Sequence, residues 1–171
     1  MEVSGSKSSN KTLIWVAGGC LAILICGLAV FLFGFGGLYW LGSQSAEEVN
    51  VAWEIPSGIG VDENVEFRIT VTNISPDPVE LVDIDFPTNY LHGFLIASTD
   101  PLYVDTYEYS ELGGGESFQT YSFNKSIGPG ESLTITFNGK AVIRGDYGGT
   151  VAVCINSSFN CKSNVIRTIV E

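Results

Sequence analysis

Histidine occurs once in this chain, as His92, and methionine once, as Met1. That scarcity excludes much chemistry. With one imidazole there is no H-E-x-x-H pair for a zinc hydrolase, and no G-x-S-x-G elbow or phosphate-cradling glycine loop is present. Scattered carboxylates are the only catalytic candidates, and a spacing between strands not yet placed cannot pair them as a glycosidase requires. The expectation is a protein that is not an enzyme and carries no cofactor. Basic residues are also few: eight Lys and Arg against 19 Asp and Glu, a formal charge of −11. Such a surface repels phosphate backbones, so nucleic acid is not an expected partner.

Charge of either sign is missing altogether from Leu13 to Leu41, LIWVAGGCLAILICGLAVFLFGFGGLYWL, as is proline. As a helix this run reaches roughly 43 Å, against about 30 Å for the hydrocarbon core of a bilayer. Backbone groups inside lipid must be satisfied within the segment, which makes a helix the expected form. A transmembrane helix is therefore expected over residues 12–41. Before it stand residues 1–11, a short polar tail with Lys7 and Lys11; after it come Glu47 and Glu48. Positive charge stays on the cytoplasmic side, so the expected localisation is the cell membrane, single-pass, with N-terminus inside and C-terminal domain outside. Trp15, Tyr39 and Trp40 fit the aromatic belts at the two membrane interfaces.

Rival readings of the run are a cleaved signal peptide, a lipoprotein signal and a buried helix. Ser43-Gln44-Ser45 offers a cut site, which would make a secreted module, but the apolar core is about twice the length of a signal's 7–15 residues. Cys20 and Cys26 lack the preceding apolar run that lipidation needs. A buried helix is shorter. Gly18, Ala22 and Cys26 lie at i, i+4 and i+8, a small-residue stripe through which two such helices can pack. It suits a homodimer, or an accessory subunit that recognises a partner membrane protein. Residues 42–48 then form a short linker.

Beyond the linker the basic count is 8 − 2 = 6 and the acidic count 19 − 1 = 18, so this part carries −12. The hydrophobic period falls to two. Val49, Val51, Trp53 and Ile55 alternate with polar or small residues until Pro56-Ser57-Gly58. Val65, Phe67, Ile69 and Val71 alternate with Glu66, Arg68, Thr70 and Thr72. Val82, Ile84 and Phe86 alternate with Asp83 and Asp85, and Pro87 stops them. Further strands are expected around 93–98, 118–123, 133–137, 151–155 and 165–170, while 102–115 is irregular. Strands this short, with turn residues between them, predict an all-β, immunoglobulin-like antiparallel β-sandwich over residues 49–171.

Two pieces carry a resemblance. VEFRITVTNISPDPVELVDIDFP (65–87) resembles the early strands of the immunoglobulin-like repeats on bacterial surfaces, the CARDB-like, cell-adhesion-related family. IGPGESLTITF (127–137) is similar to the piece that opens a later strand there. The resemblance implies a surface binding or spacer module with no catalytic residues, present here as a single unit. Its expected partners are the lipid bilayer and a surface protein or glycan, and its expected role is binding, adhesion or assembly.

Cys154 and Cys161 flank INSSFN between two strand-like runs, and opposed hairpin positions bring Cβ atoms within disulfide reach. A disulfide is expected, since His92 is the one His and no further Cys lies outside the membrane run, too few ligands to complete a metal site. Asp83 and Asp85 share one side of a strand, and Asp62-Glu63, Asp100 and Asp105 lie in or near loops. Together they raise the question of Ca²⁺, but no D-x-D-x-D-G loop is present and solvated acids are the expectation. Arg144-Gly145-Asp146 reads first as a turn rather than as an adhesion tripeptide. Asn73, Asn124 and Asn156 stand in N-x-S sequons that matter only where a host glycosylates.

Overall fold

A computed structural model of the 171-residue chain describes residues 45–110 and 115–171. The apolar run, with Trp15, Gly18, Ala22, Cys26, Tyr39 and Trp40, lies outside the described residues. Among those described, no helix is long and apolar enough to cross a membrane.

Ten strands and one helical turn follow in order: β1 (Val49–Glu54), β2 (Gly58–Ile59), β3 (Asn64–Asn73), β4 (Val79–Pro87), α1 (Thr88–Leu91), β5 (Phe94–Asp100), β6 (Asp105–Ser110), β7 (Ser117–Ile127), β8 (Ser132–Ala141), β9 (Gly145–Ile155) and β10 (Cys161–Val170). They form two sheets, a four-stranded one ordered β1-β3-β8-β5 and a six-stranded one ordered β2-β10-β9-β4-β7-β6. The expected all-β sandwich is the architecture observed. Every pairing is antiparallel except β2 on β10.

Alternation makes the core. Val65, Phe67, Ile69 and Val71 of β3 and Ile135 and Phe137 of β8 are buried, as are Ile84 and Phe86 of β4, Tyr121 and Phe123 of β7, and Val151, Val153 and Ile155 of β9. Aromatic rings bridge the layers edge to face, Phe86 to Phe137 at 4.9 Å and Phe67 to Phe94 at 5.2 Å between centroids, a geometry that adds to simple area burial. Tyr90 of α1 is wholly buried, and its hydroxyl lies 2.8 Å from Thr168 Oγ1. Thr168 gives its own proton to the Pro56 carbonyl at 2.6 Å, so Tyr90 is the donor.

β4 departs from the simple pattern. The pairings to β7 and β9 both shift register between Leu81 and Asp83, which marks a β-bulge. Val79 and Leu81 face inward before it, Ile84 and Phe86 after it, and Val82 at the bulge is only half-buried. The expected inward position of Val82 is therefore corrected: Leu81 fills the core instead. In a regular strand side chains alternate strictly, so had this same sequence run on with no bulge Asp83 and Asp85 would share Leu81's inward face. The Pro56-Ser57-Gly58 stop is also followed by more structure than expected, since Gly58 and Ile59 add a short parallel edge to β10.

Candidate functional site: a carboxylate-floored groove on the larger sheet

The register of the six-stranded sheet sets its outer face in rows. Asp105, Ser122, Asp83, Cys154 and Cys161 are successive partners across β6, β7, β4, β9 and β10. The next row runs Tyr107, Thr120, Asp85, Ala152 and Ser163. Two carboxylates thus stand at the middle of the face, flanked by hydroxyls on one side and small residues on the other. Asp83 is 3% exposed and Asp85 6%, which corrects the expectation of solvated acids. Neighbouring strands and the β9–β10 loop bury them.

Each of the four carboxylate oxygens accepts one hydroxyl. Ser122 Oγ donates to Asp83 Oδ1 at 2.6 Å and Ser158 Oγ to Asp83 Oδ2 at 2.7 Å. Thr120 Oγ1 donates to Asp85 Oδ1 at 2.6 Å, and the Tyr109 hydroxyl to Asp85 Oδ2 at 3.3 Å. Among the described residues no cation pairs with either acid; the ion pairs are Arg68–Glu66, Lys140–Asp62 and Arg167–Asp146. Burial accordingly raises the Asp85 carboxyl above its ordinary value, opposed by the Thr120 hydrogen bond and assisted by the charge of Asp83. The Tyr107 hydroxyl is raised too, first by desolvation and then by the fields of Asp83 and Asp85.

Above this floor lies a groove of about 310 Å³ lined by Asp83, Asp85, Tyr107, Tyr109, Ser158 and Phe159. Its rings are open to solvent: Tyr107 is 45% exposed, Tyr109 40% and Phe159 69%. Tyr109 also stacks on Phe118, centroids 5.4 Å apart, which steadies that wall. The other wall is the β9–β10 loop. The Cys154–Cys161 disulfide spans its base, joining residues that lie directly opposite in the ladder. Asn160 N–H and Ile155 N–H hold the turn internally, and Asn156 exchanges hydrogen bonds with Glu80 of β4.

Other sequence candidates scatter. Asp62 is bound to Lys140 on an exposed turn, Asp100 belongs to the other sheet, and Asp105 lies two strands from Asp83. Among the described residues no group of three or more His, Cys, Asp or Glu is placed to hold a metal ion. Asp146 is the second residue of β9, its carboxylate held by Arg167, so of the Arg144-Gly145-Asp146 tripeptide, read from sequence as a turn, Gly145 and Asp146 belong to the strand. Asn73 is wholly buried, its amide donating to the Asp77 and Ile127 carbonyls, so that sequon offers no acceptor nitrogen. Sequence reasoning singled out Asp83 and Asp85 but missed Tyr107, Tyr109, Ser158 and Phe159 as their companions.

No family model matches the chain, and no curated protein matches it. Solved structures with some likeness include the CARDB domain of a Pyrococcus furiosus protein in complex with di-metal ions (16% identity, 77% of this chain and 96% of that one, TM-score 0.41). They also include the sporulation control protein Spo0M of Bacillus subtilis (19%, 72% and 49%, 0.40) and a cohesin module from a Clostridium perfringens glycoside hydrolase (12%, 72% and 98%, 0.39). None of these likenesses assigns a function to this chain.

Proposed function

We propose that this chain is a non-catalytic binding module held at a membrane by residues 12–41, with its β-sandwich on the outer side, and that it binds through the groove over Asp83 and Asp85. The observation that carries this reading is a concavity that joins three exposed aromatic rings to a buried polar floor. Apolar walls around a few placed polar groups are the usual make-up of a recognition site. Support for the anchor comes from the charge-free length of the apolar run and the lysines before it.

A photo-crosslinking residue placed at Phe159 in intact cells tests the binding reading. Discrete adducts are expected there and not from Thr134, an exposed position on the opposite sheet. Equal labelling from both sites, or none from either, overturns it. Extraction with alkaline carbonate tests the anchor separately: the chain is expected to stay with the membrane pellet, and full release removes that part of the proposal.

A further inference from the structure

We infer that the groove receives the basic side chain of a partner protein, an arginine or lysine projecting onto the outer face of the larger sheet. The inference rests on the groove being a binding site and names the chemistry of its occupant.

Charge complementarity carries it. Asp83 and Asp85 are buried side by side, hydroxyl-bonded and without a cation among the described residues. Removing carboxylates from water is unfavourable unless an opposite charge comes to them. Four hydroxyl bonds offset part of that cost, and none of the chain's own six basic residues beyond the apolar run lines the groove, so a cation that meets the pair comes from a partner. The walls narrow the choice. Tyr107, Tyr109 and Phe159 line the groove, and aromatic rings attract organic cations. Calcium needs six to eight oxygens, and two hydroxyl-held carboxylates do not supply them. A neutral sugar would stack on the rings and leave both charges unanswered. A guanidinium is weakly hydrated, stacks on aromatic rings and meets carboxylates through a planar fork of donors. At about 310 Å³ the groove is at the small end of ligand pockets, the scale of one long side chain. The surplus of negative charge on this part of the chain would draw such a partner in.

The test uses the full chain in zwitterionic-lipid nanodiscs, with the peptides acetyl-GSRSG-amide and acetyl-GSQSG-amide, calcium chloride and chitotriose as probes. NMR reads the carboxyl carbons of Asp83 and Asp85 and the ring of Tyr107. The arginine peptide is expected to shift these signals at least tenfold more tightly than the glutamine peptide, with the difference shrinking as salt rises. Asp83→Asn with Asp85→Asn is expected to abolish that difference. Phe159→Ala, which changes an exposed ring and leaves the core untouched, is expected to weaken the arginine peptide alone. Equal affinity of the two peptides, or a response to calcium or chitotriose only, overturns the inference while leaving a binding groove in place. Silence from every probe together with no crosslinks at Phe159 overturns both.

Discussion

Burying Asp85 without a cation makes its proton part of the folding equilibrium. The folded state raises this carboxyl above its ordinary 3.8, so between 3.8 and the raised value it binds more protons than the unfolded chain does. Stability on this account falls as pH rises through that window and is level above it. Asp62 and Asp146, lowered chiefly by their bonds to Lys140 and Arg167, act in the opposite sense, but both remain when only Asp85 is changed. Urea midpoints from about pH 6 down to about pH 4 should therefore show the wild type gaining on Asp85→Asn as acid is added. A constant gap would mean that Asp85 keeps its ordinary titration. Tyr90 and Tyr121 are pushed up to about 12 from 10.0 by burial, so stability falls again as pH climbs from 10.0 towards 12. Tyr90→Phe removes one buried hydrogen bond but leaves Thr168 its bond to Pro56. The expected loss is about 0.5–1.5 kcal/mol by chemical denaturation.

Two elements carry features that can be tested as units. The β9–β10 hairpin is clamped at its base by Cys154–Cys161 and lends Ser158 and Phe159 to the groove. A closed loop this small constrains the unfolded chain modestly, so replacing both cysteines with alanine is expected to cost about 2–3 kcal/mol in urea. Faster amide exchange across residues 156–160 should accompany it, as Ser158 loosens from Asp83. In the smaller sheet, β5 bulges between Ile96 and Ser98, and a Cβ on Gly139 of β8 would stand 2.7 Å from the Leu95 carbonyl oxygen. Backbone cannot retreat as a side chain can, and Gly139→Ala is expected to lose about 1–3 kcal/mol. How legible each element was follows from its setting. β3, β8 and β9 have one wet and one dry face, which stamps a two-residue period on their sequences. β6 is exposed on all six residues, so nothing in its own pattern marks it as a strand. The disulfide could be read from two cysteines around a loop-sized insert. The groove could not, because it depends on the lateral order β6-β7-β4-β9, and no local pattern encodes which strands become neighbours.

For the whole chain, the function proposed above makes the apolar run a tether and the acidic part after it a reader. Protease added to intact cells is expected to digest the chain beyond Gly42 and to spare residues 1–11. Digestion of the tail alone would reverse the orientation. The extra residue in β4 ties the reader's two faces together. Deleting Val82 would remove the bulge and leave both faces as they are, whereas straightening β4 with Val82 kept would turn Ile84 and Phe86 out to water and drive both aspartates into the oil. A lineage drifting there could lose the extra residue and keep oil and acid on their own sides, but it could not flatten the strand around that residue without exchanging them.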